Sequence, residues 1–209
     1  MNRCRTLRAV LSVLLVLSLF CALTSTSALA YGDWLWEDLF WDDAPAEAIT
    51  KDQREENVEI TMAFLREELD LPDSAVAAVM ANIYRESAFD PRAVDAGRRF
   101  FGLCQWSRLR WMNCFFFCQE QGLDRMSTEG QLAFLKYELE GEYRWIYETY
   151  LLPAEDSEDG AQEAQFFFCQ LFEAPRDVDW EQVMRSKLVA YAYWPLVSEG
   201  QPLDWSGYW

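Results

Sequence analysis

The 209-residue chain contains no histidine. That absence removes Ser-His-Asp and Cys-His nucleophile systems, His-ligated zinc and the HExxH metalloproteases together. Positive charge is also scarce: 18 Lys and Arg stand against 35 Asp and Glu, a formal net charge of -17. Affinity for nucleic acid comes mainly from cations neutralising phosphates, so no nucleic-acid partner is expected. Strand signals are confined to the irregular stretch 93–106. No apolar run reaches the ~20 residues that span a bilayer, the longest being Ala9 to Leu23. What is present is a globular composition, 51% apolar and 16% aromatic. Its chemistry has to run on carboxylates, hydroxyls or thiols.

Residues 1–30 read as a secretory signal peptide. Arg3, Arg5 and Arg8 precede the apolar run, and Ala28-Leu29-Ala30 supplies small residues for cleavage after Ala30. Phe20, before Cys21, is too large for a lipoprotein site. These residues carry three arginines and no acid, so their loss takes the net charge from -17 to -20. The expectation is an exported protein, extracellular or associated with the cell wall, with no stable membrane insertion. Cys104, Cys114, Cys118 and Cys169 remain; export permits disulfides, and three full pairings are open. Paired CxxC knuckles are missing, so neither a metal nor a cofactor is expected.

The organisation expected is an acidic, Trp-rich arm over 31–49, a catalytic domain over 50–195 and a tail over 196–209. The arm and tail hold five of the ten tryptophans, which either stack on sugar rings or pack as loose terminal segments. Between them the signal is helical. Thr50 with Gln53 forms a capping box for a helix over 51–70. Asp73 is placed to cap a second, with Val76, Val79, Met80 and Ile83 as its apolar stripe, ending at about Ser87 before Pro91. Further helices are predicted over 107–121, 127–140, 142–150, 161–172 and 180–194, the last stopped by Pro195. The acidic run 155–160 is a loop without an evident task. Phe-Phe-Phe-Cys-Gln occurs at 115–119 and again at 166–170; both copies are read as core-facing helix, and Cys118 and Cys169 as a candidate facing pair. The class is mainly α, with about six to seven helices.

Glu86 carries the most chemical information. It lies three residues after Ile83 and seven after Val79, on the apolar face of its helix. It also falls in the last turn, where the helix dipole disfavours a carboxylate. Both push its pKa upward, the tuning a general acid needs near neutral pH. The plain alternative is a surface Glu beside Arg85.

The residues around Glu86 form an ordered series of motifs. Asn82-x-x-x-Glu86-Ser87-x-Phe89-x-Pro91 is followed by Gly102-Leu103-Cys104-Gln105-Trp106, then by Gln131-Leu-Ala-Phe-Leu-Lys-Tyr-Glu-Leu139. Phe168-Cys169 with Glu173-x-Pro175, and Arg185 to Tyr193, complete it. The series resembles the phage tail lysozyme family of the lysozyme-like superfamily over roughly residues 54–194. The resemblance implies a lysozyme-like α+β fold with a much reduced β region. It also implies a muramidase-like glycoside hydrolase, cleaving the β-1,4 bond between N-acetylmuramic acid and N-acetylglucosamine in peptidoglycan.

Under that reading Glu86 is the acid and Asp95 the second carboxylate, with Asp90 in reserve; Ser87, Phe89, Gln105 and Trp106 bind glycan. Tyr193 is a further aromatic that either stacks on sugar or packs in the core. The segment Ala96-Gly-Arg-Arg-Phe-Phe101 departs from the family's small, Gly-rich pattern, which bears on the carry-over to Asp95. Two alternatives stand: a lytic transglycosylase using Glu86 alone, and a non-catalytic glycan- or envelope-binding module. The partner expected is the peptidoglycan strand, met by a monomer. A chain this acidic approaches a polyanionic wall slowly, and Arg98, Arg99, Arg108 and Arg110 are the cluster expected to offset that locally.

Overall fold

A computed structural model describes residues 48–175 and 178–203. The expected signal peptide, most of the Trp-rich arm and the last six residues lie outside them. Helix α1, Lys51–Glu67, opens with the capping box: Gln53 N–H donates to Thr50 Oγ1 at 3.2 Å and Thr50 N–H to Gln53 Oε1 at 2.9 Å. It ends before the expected Asp70, which takes a left-handed φ of 51°. Leu71, restricted by the following Pro72, then leads directly into α2, Asp73–Ser87.

Asp73 does not cap α2. Pro72 holds the cap position, and Asp73 instead accepts from Arg66 Nε at 2.8 Å. The free N–H of Ser74 goes to Asp156 at 3.2 Å, which gives the acidic run its task. In the same run Ser157 caps α6, Glu158–Phe168, by accepting from Gly160 N–H at 3.1 Å, so that helix starts earlier than the expected residue 161. Instead of one apolar stripe, every residue of α2 from Ser74 to Ile83 is buried. A helix apolar on all sides belongs in the centre of a domain. Ala75, Ala77, Ala78 and Ala81 let α6 and the later helices pack closely around it.

After α2 the chain makes a two-stranded antiparallel hairpin, β1 Phe100–Phe101 and β2 Trp106–Ser107, with Phe101 opposite Trp106. Helices α3, Arg108–Gln121, and α4, Thr128–Glu140, follow. A short α5, Arg144–Ile146, runs into a π turn at Tyr147–Leu151. Helix α6 likewise runs into a π turn at Cys169–Glu173, and α7, Val178–Leu188, into another at Val189–Tyr193. Pro195 does not stop the chain. It sits in the first turn of α8, Trp194–Glu199, where its missing N–H costs nothing, so residues expected in the tail belong to the fold.

The two Phe-rich repeats differ from expectation and from each other. Phe168 and Cys169 are buried, but Phe116 is 55% exposed and in α3 it is Cys114 and Cys118 that face inward. Their sulfurs lie 4.0 Å apart, so the neighbour of Cys118 is Cys114 and not Cys169. All four cysteines are buried and unbridged among the described residues. The fold is mainly helical and lysozyme-like, with a sheet reduced to one small hairpin.

Candidate active site

Glu86 stands in the last turn of α2, which is stopped by two consecutive left-handed residues, Ala88 and Phe89. Asn57 of α1 holds this stop by donating to the Phe89 carbonyl at 2.8 Å. The Glu86 side chain is 19% exposed and accepts from Arg185, whose own side chain is 1% exposed. Arg185 also donates to Glu181, and Glu181 takes Arg85 in two bonds of 2.8 and 2.9 Å. Arg85 therefore serves Glu181 and leaves Glu86 to Arg185. Burial pushes the Glu86 carboxyl above its usual range, and the attraction of Arg185 does not reverse that.

A cleft of about 330 Å³ opens beside Glu86, lined also by Arg99, Phe100, Gln105, Glu173, Ala174 and Pro175. Glu173 is the residue that sequence reasoning missed as a site group. It sits at the end of the π turn after α6, fixed by Ala174 N–H donating to Cys169 O at 2.8 Å and by the left-handed Ala174. Its Oε1 is buried and has no hydrogen-bond partner among the described residues. Burial first, and the neighbouring Glu86 second, hold its carboxyl well above the usual range. The signal present in the sequence is the Glu173-x-Pro175 motif, which the family resemblance includes without assigning it a role.

The other expected site residues divide. Gln105 lines the cleft with a left-handed φ of 44°, its Nε2 held by the Gly102 and Ala93 carbonyls at 3.1 and 3.3 Å. Ser87 donates back to the Ile83 carbonyl at 3.1 Å, closing the helix end. Phe89 is fully buried between Tyr84 and Tyr193, and Tyr193 is itself core. Trp106 is likewise fully buried and donates Nε1–H to Glu138 at 2.8 Å. Phe89 and Trp106 are therefore core residues and not platforms for a ligand, because neither ring has a face to solvent. Asp95 does not line the cleft. Slight burial raises its carboxyl, but backbone N–H groups of Arg99, Phe100 and Gly97 outweigh that and hold it below the usual range. Its oxygens close the loop, as Asp90 closes a tighter one by accepting from Arg92 N–H at 2.9 Å.

Of the arginine cluster, only Arg99 reaches the cleft. Arg110 turns inward, donating twice to Glu138 at 2.8 Å and once to the Phe172 carbonyl at 3.2 Å. Gln131, buried in α4, ties the loop down: its Oε1 accepts from Leu103 N–H at 2.8 Å and its Nε2 donates to the Pro91 and Arg125 carbonyls. Gly102, with φ of 70°, lets the loop come this close, since a Cβ there would collide with the Gln131 amide. A larger groove of about 660 Å³ lies between α3 and α4, but its buried carboxylate, Glu138, is already spent on Trp106 and Arg110.

A mainly helical domain whose buried central helix ends in a perturbed carboxyl at a cleft is consistent with the lysozyme-like class. The phage tail lysozyme model matches residues 56–194, about two thirds of the chain, and the protein belongs to that family. Its general activity is therefore that of a lysozyme-like, peptidoglycan-lytic enzyme. No curated protein matches the chain.

Proposed function

We propose that the protein is an exported glycosidase that cleaves the β-1,4 bond between N-acetylmuramic acid and N-acetylglucosamine, with Glu86 as general acid. The observation that carries this reading is the Glu86 carboxyl itself, held at a cleft where burial raises its proton affinity. Protonated, it donates to the glycosidic oxygen while positive charge develops on the departing sugar ring. Arg185 then steadies the carboxylate that remains, so one cation serves the ionised half of the cycle without abolishing the neutral half. Gln105 and the exposed edge of Phe100 offer a polar and an apolar contact for a pyranose. The protein acts as a monomer on glycan strands outside the cell that makes it.

The test is digestion of purified peptidoglycan by the protein and by Glu86→Gln, with released muropeptides weighed before and after borohydride reduction. Reducible muramic ends that vanish in the variant support a muramidase. Anhydro ends support a lytic transglycosylase on the same acid. No release from several wall types refutes both and favours a glycan-binding module.

A further inference from the structure

We propose that Glu173 is the second catalytic carboxyl of the cleft: it takes the proton from the oxygen that attacks the cleaved sugar and returns it to Glu86. This rests on the glycosidase reading and supplies the base which that reading lacks. Glu173 lines the same cleft as Glu86. Its Oε1 is buried and without a partner among the described residues, whereas buried polar atoms in folded proteins are nearly all hydrogen-bonded. Asp95 and Asp90, the acids of the adjoining loop, have oxygens already engaged by backbone N–H groups. Glu173 therefore brings to the wall of the cleft a carboxyl oxygen that no other group among the described residues has taken.

The protons balance. Glu86 gives its proton to the glycosidic oxygen as the C1–O bond breaks. The attacking oxygen, from water or from the sugar's own 6-hydroxyl, bonds to C1 and releases its proton to Glu173. That proton passes back to Glu86 within the cleft, and the pair is restored. The charge on Glu86 disfavours a second negative charge on Glu173 beside it. The upward push on Glu173 also makes its carboxylate a stronger base than an exposed one.

The experiment measures kcat and KM on purified peptidoglycan against pH for the protein, Glu86→Gln, Glu173→Gln and Glu173→Ala with and without added formate. The expected result is a kcat for Glu173→Gln lowered ~10²-fold or more with KM nearly unchanged. The acidic limb of the pH profile, where the base gains its proton, disappears, and formate restores part of the Glu173→Ala rate. Wild-type kcat and both limbs in Glu173→Gln, with Glu86→Gln inactive, would overturn the role of Glu173 and leave the proposed function standing. So would an activity loss that formate does not rescue and that comes with a lost near-ultraviolet circular dichroism signal. A wild-type protein that cleaves no wall polymer overturns both.

Discussion

Beneath the hairpin, Glu138 accepts from Trp106 and twice from Arg110, and Gln131 makes three bonds to loop backbone. In the cleft, built from the same residue types, Glu86 shares one cation with Glu181, and Glu173 keeps a buried oxygen without a partner among the described residues. Both clusters are withdrawn from water, but only the first is satisfied. A satisfied polar network fixes geometry. An unsatisfied one leaves carboxyls with raised pKa values and an open acceptor, which is what proton transfer requires. The first cluster therefore holds the loop that shapes the cleft, and the second leaves two carboxyls of raised proton affinity lining it.

The sharpest way to break this contrast is at Glu86. Glu86→Gln retains shape and a hydrogen-bond acceptor but no transferable proton, and lytic rate should fall by ~10³-fold, measured as muropeptide release. In the satisfied cluster the loss should appear as stability instead. Glu138→Ala leaves the buried Trp106 Nε1–H and the half-buried Arg110 without their acceptor and is expected to cost about 3 kcal/mol in urea unfolding. Gly102→Ala, which adds a Cβ at a left-handed position against Gln131, should cost about 2 kcal/mol by the same measurement.

Glu173→Gln should do the opposite to stability. A carboxyl whose folded pKa is raised contributes stability that is fully present below its ordinary value near 4.5 and lost as pH rises through the folded value. The amide has no such loss. Its Tm should therefore exceed that of the wild type at neutral pH, by about 2–4 °C for each kcal/mol recovered, and match it near pH 4. The smallest effect is expected at Asp95. Asp95→Asn should keep lytic activity within about threefold, since the side chain closes a loop and an amide oxygen still accepts the Arg99 and Phe100 N–H bonds, losing only that of Gly97; a loss as large as that of Glu86→Gln would restore it as the second acid.

Much of the fold was legible locally. The capping box at Thr50 and the glycine stop at Gly122 are decided by residues within one turn of one another, and the structure has them, like the end of α2 at Ser87, where they were expected. The misplacements share one cause. Asp73 was available to cap its own helix, but Arg66 took it and Asp156, from more than eighty residues away, supplied the bond. Phe89 and Trp106 carried motif positions that suit a ligand platform, yet they face the core from a helix stop and a two-residue strand, whose paths a periodicity does not describe. Glu173 was hidden by the π turn: its extra residue rotates the later positions out of a 3.6-residue register, so no helical wheel could bring Glu173 to Glu86.

By itself the sequence determined the helical class, the absence of any histidine-based chemistry and the exceptional position of Glu86, because each depends on composition or on neighbours along one helix. Which carboxyl joins Glu86, which cation holds it and which aromatics are structural were decided only in three dimensions. Glu173 and Arg185 reach Glu86 from separate elements about ninety to one hundred residues away in the chain. Whether such groups meet is fixed by the packing of α6 and α7 around α2, and burial, which sets their proton affinities, exists only once that packing is complete.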